Sequence, residues 1–153
     1  MTAELTLTVD VAAPAELVWD VVTDWPAQGE WMPATRVETT SDGDGRRLGA
    51  TLSAVTGVGP LAVTDTMEIT EWDPPRRCVV RHTGAVVRGD GIFEVVPLGA
   101  ERARFVWSEL LDLPFGILGR AGWPIVRPLM RAGVAYALRA LARRCEEKHR
   151  AHG

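Results

Sequence analysis

The chain has 153 residues, enough for one domain with a sizeable core. Its 46% hydrophobic and 24% charged content is that of an ordinary globular protein, not a disordered one. A formal net charge of -3 leaves no electrostatic footprint for nucleic acid, and no run of about 18 apolar residues offers a membrane-inserting helix.

Residues 2–11 alternate, with Leu5, Leu7, Val9 and Val11 on one face and Glu4, Thr6, Thr8 and Asp10 on the other. Period-two alternation predicts a half-buried strand. Pro14 then suits the first turn of a helix, where its missing N–H is no loss. Leu17, Val18, Val21 and Val22 follow at helical spacing and form its buried face. Pro26 ends that helix, and residues 28–32 read as a second short helix before Pro33.

From Thr35 the text is β-like and broken by turn residues. Strands are expected over 36–40, 48–55, 61–72, 77–83, 86–96 and 102–111, making seven with the first. Ser41 to Gly45, Gly57 to Pro60 and Asp73 to Pro75 supply breaks. Gly89-Asp90-Gly91 falls inside a strand pattern, where bulging or curvature is the natural explanation. From Pro124 the period changes. Val126, Met130, Val134, Leu138, Leu141 and Cys145 form one stripe of a long amphipathic helix, with Pro128 near its start and basic residues crowding its end. No linker, repeat or low-complexity tract divides residues 1–153, so a single α+β domain is expected.

The run from Val9 to Asp24, with the Trp-rich Trp25-Pro26 to Trp31-Met32-Pro33 directly after it, resembles the opening of the START/Bet v 1-like (SRPBCC) superfamily, in particular its bacterial polyketide cyclase/dehydrase-type members. The resemblance implies a helix-grip fold: a seven-stranded curved antiparallel sheet wrapped around a long C-terminal helix, with two short helices after the first strand. It also implies an internal cavity for an apolar small molecule, bordered by the second helix, the inner strand faces and the long helix, with the loop over residues 55–60 near the entrance. On that footing Trp31, Met32, Phe93, Trp107, Met130 and Val134 are expected to line the cavity.

No high-specificity catalytic motif is present: no G-x-S-x-G, H-E-x-x-H, P-loop or strand-to-helix G-x-G-x-x-G. The search therefore reduces to polar residues on faces that should be apolar. Asp65 stands in the centre of the face formed by Leu61, Val63, Met67 and Ile69. An inward carboxylate must be hydrogen-bonded, paired or protonated, which describes a general acid or base; a register shift turning it to solvent is the plainer alternative. His82 is in step with Cys78 and Val80 and would be a proton shuttle if it faced a cavity, although Val79 and Thr83 make the other face almost as apolar. Glu109 shares a face with Phe105, Trp107 and Leu111. Arg127 and Arg131, about one helical turn apart, would serve either an anionic ligand group or a structural ion pair with Glu109 or Asp65.

Neither a metal nor a cofactor is expected, because no Cys/His cluster exists and Cys78 and Cys145 lack metal-type spacing. Two lone cysteines leave a disulfide between them open, but together with an N-terminus unlike a signal peptide they favour a reduced, cytoplasmic protein, a monomer or homodimer. Three functions compete. The leading one is binding of an apolar molecule such as a polyketide, lipid or isoprenoid, as a carrier or sensor. The alternative is a polyketide cyclase/aromatase or dehydratase using Asp65, His82 or Glu109. The third is an interaction module whose groove receives a protein segment.

Overall fold

A computed structural model describes residues 2–85, 87–112 and 117–152. The expected strand over 86–96 thus begins one residue outside the described set. Strand β1 (Thr2–Val11) leads through Pro14 into helix α1 (Ala15–Val22), which buries Val18, Trp19, Val21 and Val22. Thr23 ends the helix by turning its hydroxyl back onto the Trp19 carbonyl at 2.7 Å. The second short helix is a tight 3-10 segment, Trp25–Glu30, three residues earlier than the periodicity suggests. Pro26 stands inside its first turn, where it starts this segment and also prevents α1 from continuing into it.

Strands β2 (Thr35–Thr39), β3 (Thr51–Thr56), β4 (Val63–Asp73), β5 (Arg77–Thr83), β6 (Arg88–Gly99) and β7 (Arg102–Asp112) follow. They join β1 in one antiparallel sheet of order β1-β7-β6-β5-β4-β3-β2. Of bulging or curvature at Gly89-Asp90-Gly91, bulging is not seen. Those residues pair in register with Leu111, Leu110 and Glu109, and the β6–β7 shift falls between Pro97 and Gly99. A second shift, between Ile69 and Glu71 of β4, adds to the bending of the sheet.

Helix α2 (Ile117–His152) begins before Pro124, so both Pro124 and Pro128 lie inside it. Its C-terminal half carries the buried stripe Val134, Leu138, Leu141 and Cys145. That stripe joins Leu5, Val11, Trp19, Trp31, Leu52, Ile69 and Phe105 in one core. The N-terminal half is more exposed, with Ile125 and Leu129 open to solvent. The two halves therefore do different work: one fills the sheet's concave face, and the other borders open space.

Candidate functional site

That space is a cavity of about 730 Å³ between the inner sheet face and the first half of α2. The starts of β2, β4 and β6 and the ends of β3, β5 and β7 all lie along one edge of the antiparallel sheet. Thr56, Val63, Arg88 and Asp112 on that edge are exposed and line the cavity, so they mark its mouth. Gly119, Gly122, Trp123 and Val126 of α2 close over it from the other side. The volume suits a molecule of drug size.

Most of the wall is apolar, and Phe93, Trp107, Met67, Val80 and Met130 contribute to it. Against this background three ionisable residues meet. Asp65 on β4 faces inward because Val63, Met67 and Ile69 set the inner face of that strand, while Thr64, Thr66 and Glu68 point to solvent. His82 lies opposite Met67 across the β4–β5 ladder, which brings its ring diagonally beside Asp65. Its Nδ1 is 2.9 Å from both Asp65 carboxylate oxygens. Its Nε2 is 3.0 Å from Glu109 Oε2 on β7. Trp107, two residues along the same face, donates its indole N–H to Glu109 Oε1 at 2.9 Å.

The geometry dictates a protonation state. A neutral imidazole has one donor and one acceptor nitrogen, so it would present a lone pair to one of the two carboxylates. A doubly protonated ring donates to both. Burial by itself disfavours the imidazolium, but the hydrogen bonds to Asp65 and Glu109 and the charges of both carboxylates outweigh it. The ring pKa is pushed up to about 10. His82 is thus a charged bridge at neutral pH. Its side chain is 5% exposed and that of Glu109 10%, whereas Asp65 is 20% exposed, so Asp65 is the member most open to a ligand.

All three acid–base candidates named from the sequence come together here, and Met32, Phe93, Trp107, Met130 and Val134 line the same cavity. Trp31 stands elsewhere. It is buried behind the wall, its ring within 6.1–6.5 Å of Trp107, Phe93 and Phe105, and it stiffens the aromatic lining without being part of it. Arg127 and Arg131 are exposed on α2 and do not line the cavity, because the stripe through Met130 and Val134 turns that face of the helix inward. Gly91, between His82 and Glu109, and Cys78 also line the cavity, although neither carries a functional signal of its own in the sequence. The one signal for Gly91 was its place in an otherwise regular strand.

Both cysteines are free and buried, and burial pushes each thiol up to about 12, so Cys78 meets the cavity as a small apolar group and not as a nucleophile. Among the described residues no group of three His, Cys, Asp or Glu is placed to hold a metal ion. No helix of the described residues is long and apolar enough to cross a membrane.

The curved antiparallel sheet, the long C-terminal helix and the cavity between them define a helix-grip ligand-binding protein. Residues 2–146 match the model of the family described as polyketide cyclase / dehydrase and lipid transport, and the chain belongs to that family. Among solved structures it is similar to the Zhui aromatase/cyclase from Streptomyces sp. R1128, with 24% identity, 100% of this chain and 99% of that one covered, and a TM-score of 0.81. It is also similar to a START superfamily protein from Mycobacterium smegmatis, with 20% identity, coverage of 94% and 97%, and a TM-score of 0.72. A third likeness is to norcoclaurine synthase from Thalictrum flavum, with 21% identity, coverage of 97% and 96%, and a TM-score of 0.68. At these identities the likenesses establish the fold. No curated protein sequence matches the chain. Binding of an apolar small molecule, the first expectation from the sequence, agrees with the family and with the cavity.

Proposed function

We propose that the protein is an acid–base enzyme of the polyketide cyclase or dehydratase type, acting without metal on an apolar polyketide-like chain held in the cavity. One observation carries this reading: a hydrogen-bonded Asp65–His82–Glu109 network on an otherwise apolar wall. Burying charge in such a place costs several kcal/mol per ion before pairing, on the order of magnitude expected for carboxylates, and a passive apolar carrier has no need of it. Chemistry does.

In this reading Asp65 is the base. It takes a proton from a carbon flanked by carbonyl groups; the resulting enolate attacks a second carbonyl and closes a ring. The alkoxide formed takes that proton back from Asp65 and becomes a hydroxyl. Asp65 then removes the second proton from the same carbon and passes it to the departing hydroxyl, which leaves as water as the carbon–carbon double bond forms, so the carboxylate is regenerated. His82 is a positioning residue that holds the Asp65 carboxylate in one orientation, and Glu109 with Trp107 holds His82. The cavity contributes by folding a flexible chain into a reactive shape, a large effect in itself.

Carriage of an apolar molecule without chemistry is the second reading, favoured by the breadth of the apolar wall. The two separate in one experiment. A poly-β-ketone chain offered as its N-acetylcysteamine thioester is cyclised faster by the protein than in buffer. Asp65→Asn lowers that rate by about 10²–10⁴-fold, the usual worth of a positioned general base, while binding stays within a few-fold. Full turnover in Asp65→Asn refutes the role of Asp65, and tight binding with no acceleration by the wild type establishes a carrier.

A further inference from the structure

We infer that the cavity sorts its ligands by charge, accepting apolar molecules that are neutral or cationic and rejecting those that bear a carboxylate. The inference rests on the cavity being the ligand site and adds to it the chemical class of the ligand.

Two carboxylates, Asp65 and Glu109, flank one imidazolium, His82, and this leaves one negative charge uncompensated on the inner wall. The remaining charged lining residues, Arg88 and Asp112, have opposite signs and lie exposed at the mouth, where water screens them. Inside, the wall is apolar, and an uncompensated charge there acts over several ångströms with little screening. The hydrogen-bond inventory gives the same sign. Both ring nitrogens of His82 are committed to carboxylates, and the Trp107 indole N–H is committed to Glu109. Gln28 gives its amide to the Val22 carbonyl and Trp25 its indole N–H to that of Gly45. What the network on the sheet offers a ligand is therefore acceptor capacity, chiefly at the Asp65 carboxylate, whose two oxygens share a single donor. A ligand hydroxyl or ammonium meets a partner there. A ligand carboxylate there meets a like charge, and the donors among the described residues that are not already committed, the Trp123 indole and Arg88, stand on α2 and at the mouth.

This excludes ligands that would seat a carboxylate against the inner wall, and it requires that any carboxyl group of the substrate reaching Asp65 enter esterified, thioesterified or already removed. It also fits the proposed reaction, in which the single negative charge moves from Asp65 to the enolate and back without a second charge being added.

The test is equilibrium binding with three unreactive ligands sharing one body: 2-(2-naphthyl)ethanol, 2-(2-naphthyl)ethylamine and 2-naphthylacetate, at neutral pH. Quenching of tryptophan fluorescence reports occupancy, since Trp107 and Trp123 line the cavity. Expected is an acetate at least tenfold weaker than the alcohol, the scale of a like-charge contact at partial burial, with the amine at least as tight as the alcohol. Asp65→Asn and, separately, Glu109→Gln each remove the uncompensated charge and narrow the gap between alcohol and acetate. An acetate that binds the wild type as tightly as the alcohol overturns the inference. If none of the three binds, the cavity is not the ligand site, and the inference falls with that reading. No turnover is measured, so loss of the proposed catalysis leaves this result standing by itself.

Discussion

Gly91 on β6 lies directly opposite Glu109 on β7, and His82 reaches Glu109 by passing over it. Strands β5 and β7 flank β6 and stand about 9–10 Å apart, twice the usual strand spacing. Two inward side chains close that gap when the strand between them presents nothing in their way. A Cβ on Gly91 would come 3.2 Å from Glu109 Oε1, 3.3 Å from His82 Nε2 and 3.1 Å from Val80 Cγ2. Gly91 is absent from the positive-φ glycines, unlike Gly89 at +114°, so room and not backbone conformation explains the residue.

Gly91→Ala is accordingly expected to fold but to wedge the His82–Glu109 contact apart. Overpacking of this kind costs about 1–3 kcal/mol. The specific sign is a lowered His82 pKa, read from the imidazole proton resonances across a pH titration. A variant that loses stability while His82 titrates as in the wild type would show that Val80 and not the network yields to the methyl group.

The network also gives stability a pH dependence with a defined sign. In the folded protein the His82 pKa stands at about 10, above its ordinary value of 6.5. Stability from this group is complete below the unfolded value and is lost as pH rises through the folded one. Between the two values the folded state holds a proton that the unfolded state has released. The slope there approaches a loss of about 1.4 kcal/mol per pH unit. Urea midpoints taken from pH 6 to pH 10 test this: the wild type declines more steeply than His82→Gln. Parallel profiles for the two proteins would mean that His82 is neutral in the folded state.

Arg127 and Arg131 offer the opposite test. Both are exposed and neither lines the cavity. Replacing both by serine is expected to leave the affinity for the naphthyl alcohol within about twofold, since exposed charges of this kind contribute within ±0.5 kcal/mol. A tenfold loss would place these guanidinium groups in contact with the ligand.

The network was partly legible before folding. Asp65 is conspicuous because it interrupts Val63, Met67 and Ile69, and a carboxylate on an apolar face calls for a partner. Glu109 stands out in the same way beside Phe105 and Trp107. His82 was ambiguous, since either face of β5 is nearly as apolar as the other, and only pairing with Met67 decides the matter. Trp31 carries no signal that separates a cavity wall from the layer behind it, because large aromatic area is used equally in both. The start of α2 was also hidden: Pro124 looks like a helix beginning, and nothing local reveals the roughly two turns of helix before it.

By itself the sequence determined what repeats along the chain: alternation of two for seven strands, the helical stripe ending in Leu138, Leu141 and Cys145, and turn residues between them. These are near-neighbour properties, set by backbone period and by which side of each element avoids water. Tertiary structure alone decided which isolated polar residues meet. Asp65, His82 and Glu109 belong to three strands, and their contact depends on ladder register, on the curvature of the sheet and on a glycine between two of them. A shift of one residue in one of the ladders between β4 and β7 would turn one of the three residues to solvent and dissolve the network, because side-chain direction reverses with every residue of a strand.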